Sequence, residues 1–340
     1  MSRPSVRIGG WGKYLPERIM PNSELAALVD TSDEWIRART GIAERRIAAP
    51  EETTCTLAVH AARAALERAG LAPRDLDLII VATCTPDYAN MPATASLVQD
   101  ALGAHRAGAF DLNAVCSGFV YALATGSQFI QSGVHQAVLV IGADVFTRIL
   151  DWQDRSTCVL FGDGAGAVVL QPSDEPGGLL SFVLGSDGAG ACSLYVPAGG
   201  SRRPASAETV AEREHYVKMQ GREVFRFATR VVPDSVIQAL EQAGLGTADV
   251  DLFIPHQANV RIIDAAARRL KLPEGSVFSN VAHYGNTSAA SVPVALCEAI
   301  DEGLIRPGST VVMTGFGAGL TWGTAVWRWH EAPDAPLPHR

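Results

Sequence analysis

The chain contains one segment twice. Residues 66–80 read Leu66-Glu-Arg-Ala-Gly70-Leu-Ala-Pro-Arg-Asp75-Leu-Asp-Leu-Ile-Ile80. Residues 240–254 read Leu240-Glu-Gln-Ala-Gly244-Leu-Gly-Thr-Ala-Asp249-Val-Asp-Leu-Phe-Ile254, and nine of the fifteen positions are identical at an offset of 174. Each copy has the pattern of a helix end, a glycine stop, a turn and a buried strand. The match extends to Ala137-Val-Leu-Val-Ile-Gly142-Ala-Asp against Thr310-Val-Val-Met-Thr-Gly315-Phe-Gly, and to Gly162-Asp-Gly-Ala-Gly-Ala-Val-Val-Leu against Trp322-Gly-Thr-Ala-Val-Trp. An offset near half of a 340-residue chain predicts duplication of one α/β unit rather than a solenoid of short repeats. Each half alternates apolar strand runs with helical stretches, the pattern of layered α/β packing. The expected halves are 1–172 and 173–330, related by a pseudo-twofold axis so that equivalent loops face one cleft. The polar stretch 198–217 breaks the pattern and reads as an inserted loop, and the Pro-rich 331–340 as a frayed tail.

Composition narrows the function classes. The net charge of −8 argues against a general nucleic-acid binder. No apolar run approaches the ~20 residues that span a bilayer, and the N-terminus has no apolar stretch of the signal-peptide kind. The six cysteines form no C-x-x-C pair and are too sparse for a disulfide scaffold, so they read as reduced thiols in a cytoplasmic protein.

One of those cysteines stands apart. In Asp111-Leu-Asn-Ala-Val-Cys116-Ser-Gly118-Phe, an apolar strand-like run meets a thiol where a helix would begin. Thiolate is the nucleophile, and a free thiol of pKa ~8.5 is only about 3% ionised at neutral pH. A helix start favours the anion through its free N–H groups and partial positive charge. Carrying the repeat forward by 170 from Cys116 reaches Asn286 in His283-Tyr-Gly-Asn286-Thr-Ser-Ala-Ala-Ser291. The two residues are therefore expected at matching helix starts that face one cleft. Phe253-Ile-Pro-His256-Gln-Ala-Asn259 places a histidine at the end of a buried strand, where α/β folds put reactive groups. The sister position near Ala82 has none, an asymmetry that suits a specialised role.

Taken together, Thr31-Ser-Asp-Glu-Trp35-Ile-Arg-Ala-Arg39-Thr-Gly-Ile, Cys116-Ser-Gly118-Phe, Phe161-Gly-Asp-Gly-Ala-Gly, Pro255-His256-Gln-Ala-Asn259, Gly285-Asn286-Thr-Ser-Ala-Ala-Ser and Phe316-Gly-Ala-Gly319-Leu-Thr-Trp-Gly resemble the β-ketoacyl-[acyl carrier protein] synthase III family. The resemblance runs from Gly9 to about Arg328. It implies a thiolase-like fold of αβαβα layers, a homodimer, and initiation of fatty acid synthesis. In the implied reaction Cys116 takes an acyl group from acyl-CoA and malonyl-[acyl carrier protein] then condenses with loss of CO₂. The backbone N–H groups of Cys116 and Ala318 would hold the oxyanion, and His256 Nε2 and Asn286 Nδ2 would donate to the enolate oxygen. For CoA, the resemblance implies Trp35 and Arg155 around the adenine, Thr31 and Arg39 at the nucleotide end, and Asn259 and Gly221 along the pantetheine tunnel. No metal or redox cofactor is implied, and no ligand cluster is apparent.

An acidic enzyme that receives an acidic carrier protein needs a local basic patch. Arg261, Arg268 and Arg269 lie on one predicted helix at spacings of seven and eight, and Arg222, Arg226 and Arg230 recur every four residues on another. Arg226 and Arg261 are the expected docking residues nearest the entrance, with Arg268 and Arg269 beyond. Met91 stands where some family members have Phe, a residue that in the family reaches into the partner's acyl pocket; a longer or branched starter is the expectation. Gly162-Asp-Gly-Ala-Gly-Ala is read as a strand entry and not as a phosphate loop, because Val-Val-Leu follows instead of a helix. Two other readings stay open at this point: a secondary-metabolism relative that primes a polyketide or acylates another acceptor, and a silent partner subunit. Retention of Cys116, His256 and Asn286 weighs against the second.

Overall fold

In the computed structural model, which describes residues 5–330, the repeated segment folds the same way twice. Helix Thr54–Ala69 stops at Gly70 (φ +64°) and helix Gly221–Gln242 just before Gly244 (φ +71°). In both, the next N–H reaches back to a helical carbonyl, Leu71 to Leu66 at 3.1 Å and Leu245 to Leu240 at 2.9 Å. A 3₁₀ turn follows in each copy, where the Asp75 and Asp249 carboxylates accept from the N–H groups of Ala72 and Gly246. Asp77 and Asp251 then accept the N–H groups of Ala137 and Thr310, which pins each following strand to its parallel neighbour.

In chain order the strands are β1 (Ser5–Tyr14), β2 (Arg18–Pro21), β3 (Glu44–Ile47), β4 (Leu78–Ala82), β5 (Gly108–Leu112), β6 (Val138–Asp144), β7 (Gly164–Ser173), β8 (Gly178–Ser186), β9 (Leu194–Tyr195), β10 (Lys218–Met219), β11 (Leu252–Pro255), β12 (Thr310–Gly317) and β13 (Thr321–Arg328). The helices are α1 (Asn22–Ala26), α2 (Asp33–Thr40), α3 (Thr54–Ala69), α4 (Thr94–Leu102), α5 (Gly118–Gln131), α6 (Arg155–Cys158), α7 (Ala207–Ala211), α8 (Gly221–Gln242), α9 (Val260–Leu270), α10 (Val281–Tyr284) and α11 (Ser291–Asp301).

Two sheets carry the architecture, ordered β1-β7-β6-β4-β5 and β8-β13-β12-β11. The two share a mixed pattern: β4 runs parallel to β6 as β11 does to β12, and β6 opposes β7 as β12 opposes β13; the first sheet adds β5, parallel to β4, at its edge. The central strands are apolar throughout because helices cover both faces. Helices α3 and α4 pack on the outer face of the first sheet, α8 and α9 on that of the second, and α5 and α11 fill the space between. The result is the expected αβαβα layering.

The middle layer is held by two reciprocal close approaches. A Cβ on Gly142 of β6 would lie 2.3 Å from the Ala289 carbonyl oxygen, at the start of the second half's middle helix. A Cβ on Gly315 of β12 would lie 2.8 Å from Ser117 Cα, at the start of the first half's. Each sheet thus seats the other half's turn, and only glycine leaves the room. Gly142→Ala is expected to lower stability by about 1–3 kcal/mol in urea denaturation, because backbone and not a flexible side chain must give way.

The stretch 198–217 is more ordered than a loop. Ser206 and Thr209 form a capping box that starts α7, and Arg213 bonds the buried Asp151 through Nε at 2.9 Å. Gly164 opens β7, as the strand reading of that glycine run requires. No helix among the described residues is long and apolar enough to cross a membrane. The expected frayed tail, 331–340, lies outside the described residues.

Candidate active site

Cys116 sits on the 3₁₀ turn Val115–Ser117 that leads into α5, at 3% exposure. Gly317 of β12 faces it so closely that a Cβ there would stand 2.8 Å from Cys116 Cβ and 3.1 Å from Sγ. The thiol donates to Ser288 Oγ at 3.5 Å, and the thiol of Cys84, a half-buried residue, lies at the same distance from that hydroxyl. Burial pushes the Cys116 thiol up to about 12, only partly offset by Ser288 and its own N–H. The helix start was expected to favour the thiolate; in the resting site the loss of water outweighs that effect and the sulfur keeps its proton.

The structure corrects the register of the duplication at this turn. Val115 and Ser288 share a left-handed backbone (φ +49° and +50°), and the helices that follow begin at Gly118 and Ser291. The offset is therefore 173, and the counterpart of Cys116 is Ala289. Asn286 corresponds to Asn113, and both amides do the same local work. Asn113 Oδ1 accepts from Val115 N at 3.1 Å and Asn286 Oδ1 from Ser288 N at 2.8 Å. Asn286 reaches the cleft from the residues before the turn, not from a helix start matching that of Cys116.

Its backbone is clamped by the first half. Asn286 N donates to Leu160 O at 2.8 Å, and Gly162 N donates to Asn286 O at 3.0 Å. With Oδ1 occupied, the Nδ2 group is left for the cavity that Asn286 lines. His256 follows β11 directly, its N–H bonded to Thr314 O at 2.7 Å. The ring is 1% exposed, meets Phe316 edge-on at 5.1 Å, and bonds Ser291 Oγ through Nδ1. Burial lowers its pKa to about 3, so the imidazole is neutral at pH 7.

Cys116, His256 and Asn286 line one cavity of about 650 Å³. Phe161, Leu194 and Phe316 wall its buried end, and Trp35, Arg39, Arg155, Arg226 and Arg261 stand at its exposed rim. Gly221 and Asn259 line it too. The Asn259 amide is engaged locally: Oδ1 caps α9 at Arg261 N (2.8 Å) and Nδ2 bonds Arg39 O (3.1 Å). The Arg155 guanidinium lies 5.0 Å from the centre of the Trp35 ring and donates to Asp30 O.

Thr31 and Met91 are not brought to this lining. Thr31 precedes α2, and Met91 is 79% exposed on the surface. Among the arginines, Arg261 lies over Phe225 at 5.6 Å and Arg226 bonds Glu223 at 3.2 Å. Arg268 is exposed away from the rim. The guanidinium of Arg269 is taken up by Asp234 at 2.5 Å and by α8 carbonyls, including that of Arg230 at 3.1 Å. Helical spacing alone had grouped it with Arg261; its tertiary partner makes it a tie between α9 and α8.

Sequence reasoning missed Ser288 and Ser291, the hydroxyls that touch Cys116 and His256. Both stood in the run quoted for Asn286, but their partners are 172 and 35 residues away. The 173 offset carries the signal for Ser288, since it makes that residue the counterpart of Val115, next to the thiol.

An αβαβα duplication with a thiol on one half's turn, and an imidazole and a carboxamide from the other in the same cavity, has the form of a thiolase-like condensing enzyme. Family models described as 3-oxoacyl-[acyl-carrier-protein] synthase III and its C-terminal part match residues 110–188 and 240–329. The chain is 57% identical over 324 residues to the β-ketoacyl-[acyl-carrier-protein] synthase III of Symbiobacterium thermophilum, covering 95% of this chain and 98% of that one. It superposes on the crystal structure of the 3-oxoacyl-[acyl-carrier-protein] synthase III of Aquifex aeolicus with a TM-score of 0.89 at 47% identity, covering 96% and 100% of the two chains. A priming β-ketosynthase from a polyketide pathway gives a TM-score of 0.90 at 39% identity, covering 98% of each chain. The chain belongs to the β-ketoacyl-[acyl-carrier-protein] synthase III family.

Proposed function

We propose that the protein joins an acyl-CoA starter to malonyl-[acyl carrier protein] by decarboxylative Claisen condensation, the first carbon–carbon bond of fatty acid synthesis. The observation that carries this reading is the single cavity with a thiol, a neutral imidazole and a carboxamide at its buried end and a cationic, aromatic rim at the other. Cys116, once deprotonated, attacks the acyl-CoA carbonyl. CoA leaves as thiolate and takes up a proton. The backbone N–H groups of Cys116 and Ala318 receive the oxyanion, a role favoured by the packing of Gly317 against Cys116.

Malonyl on its carrier then enters. The bond to the carboxylate breaks, CO₂ departs, and the electron pair moves onto the thioester as an enolate. His256 Nε2 and Asn286 Nδ2 donate to that oxygen. The carbanion attacks the acyl-Cys116 carbonyl and the sulfur leaves as thiolate. Side chains and backbone groups carry every step of this scheme, so it calls for no cofactor. The greater identity to a relative named for the synthase, 57% against 39% for the priming ketosynthase, favours fatty acid initiation over a polyketide role.

For CoA, Trp35 and Arg155 serve the adenine, Thr31 and Arg39 the nucleotide end, and Asn259 and Gly221 the pantetheine arm. A base between Trp35 and Arg155 needs about 7 Å, two contacts of about 3.5 Å. Arg155 therefore swings away from the ring as CoA binds. The carrier docks on Arg226, Arg261 and Arg268, with Arg269 contributing least because Asp234 holds it. The edge strand β5 supports a homodimer: among the described residues its outer side has no partner strand, and Phe110 and Leu112 on it are only half-buried. Met91 would then reach the partner's acyl pocket. The six free thiols fit a reducing, cytoplasmic setting.

The test is release of labelled CO₂ from malonyl-carrier together with mass analysis of the product, across acetyl-, isobutyryl- and octanoyl-CoA. CO₂ and β-ketoacyl-carrier in equal amounts support the reading; acyl transfer without CO₂ overturns it. Arg261→Glu is expected to raise KM for malonyl-carrier about tenfold or more and to leave acyl loading of Cys116 near wild type, read from the two half-reactions separately.

A further inference from the structure

His256 can serve as a hydrogen-bond donor to an enolate only if its one proton sits on Nε2. A neutral imidazole with the proton on Nδ1 would turn a lone pair toward the developing negative charge. The residues around the ring decide between the two forms. Nδ1 is bonded to Ser291 Oγ, the first residue of α11. That oxygen also lies 3.4 Å from Gln257 N, which can only donate. Among the described residues Ser291 Oγ has no third partner. Accepting from Gln257, the hydroxyl has its own proton to give, and Nδ1 is where it goes. Nδ1 is then the acceptor, and the ring proton is on Nε2.

The same short segment does this to both donors. Ser288 N occupies Asn286 Oδ1 and turns Nδ2 outward, while Ser291 occupies His256 Nδ1. Phe316 adds an apolar neighbour, its ring centre 5.1 Å from that of the imidazole.

We infer that Ser291 is a positioning residue that fixes the tautomer of His256, keeping Nε2–H aimed into the cavity for the decarboxylating half-reaction. The inference rests on the function proposed above for His256, but the tautomer itself is a property of the resting protein. Loss of an oxyanion donor costs ~10²–10³ in rate. Ser291→Ala leaves both tautomers accessible and so removes part of that, an expected fall of about 10–100-fold in kcat for condensation. KM for malonyl-carrier and the rate of Cys116 acylation stay within about threefold of wild type, and Ser291→Thr, which keeps a hydroxyl, restores most of the loss.

The deciding measurement is ¹⁵N NMR of the imidazole nitrogens in histidine-labelled protein. His256 is assigned among the eight histidines by its disappearance in His256→Ala. A protonated Nε2 and unprotonated Nδ1 in the wild type, shifting to a mixture in Ser291→Ala, support the inference. A proton on Nδ1 in the wild type overturns it, as does an unchanged tautomer in Ser291→Ala with both half-reactions falling equally. Should the protein condense no malonyl substrate at all, the proposed reaction fails, and the nitrogen shifts still decide what Ser291 does.

Discussion

Cys116→Ala is expected to abolish acyl-enzyme formation. Intact-protein mass spectrometry after incubation with acyl-CoA would show the acyl increment on the wild type and none on the variant. Overall condensation should drop by ~10³ or more, because among the described residues no other thiol lines the cavity to form the covalent intermediate that divides the reaction into two steps. The fold should not suffer. The counterpart of Cys116 in the second half is Ala289, already an alanine on a turn of the same left-handed geometry, its carbonyl set against Gly142 as that of Cys116 is against Gly315. An unchanged urea midpoint would therefore accompany the lost activity. Malonyl decarboxylation should persist in the variant, since His256 and Asn286 are untouched. Acylation of the variant at the wild-type rate would remove the thiol from the mechanism.

The second large effect concerns the two donors. His256→Ala and Asn286→Ala are each expected to cut condensation by ~10²–10³ while leaving Cys116 acylation close to wild type, and the double variant should fall by less than the product, because the pair serves one oxygen. His256→Ala also has a signature in stability. The folded imidazole titrates near 3, far below its ordinary value, because burial disfavours the charged ring. Below pH 6.5 the unfolded chain binds a proton that the folded chain refuses, so this histidine's contribution is present above pH 6.5 and is lost as pH falls toward 3. Between pH 7 and pH 5 that amounts to about 2 kcal/mol. Urea titrations at the two pH values should show the wild type losing that much more than His256→Ala. An equal loss in both would mean that the ring is solvated or paired.

Much of the fold could be read from the chain because its signals are local. The glycine stop, the Asp-capped turn and the apolar strand recur within fifteen residues, and the stop and the turn are satisfied by neighbours close in sequence. The duplicated layering followed from their offset. The register at the catalytic turn did not, since an offset of 170 reaches Asn286 while the backbone conformation repeats at 173. The left-handed residues Val115 and Ser288 mark the true offset, and neither valine nor serine announces a positive φ. Cys116, His256 and Asn286 stood out through their motifs. What fixes them did not, because the Ser288 and Ser291 contacts form only when distant segments meet. The ionisation of Cys116 is hidden from the sequence for a related reason: a helix start is visible there, whereas the extent of burial is a property of the assembled layers. Arg269 makes the same point on the surface, where periodicity gives its side of α9 but not the carboxylate of Asp234 that claims it.

The two interlocking glycines, Gly142 and Gly315, bear on how catalytic competence arises during folding. The floor under the nucleophile belongs to the C-terminal sheet, and the segment 160–162 that braces Asn286 belongs to the N-terminal half. Neither half possesses a working site by itself, however well formed its own helices and strands. Enzymatic turnover is therefore a readout of domain docking: in a refolding time course, regain of catalysis must wait for the halves to dock, and circular dichroism will have recovered its helical signal before then.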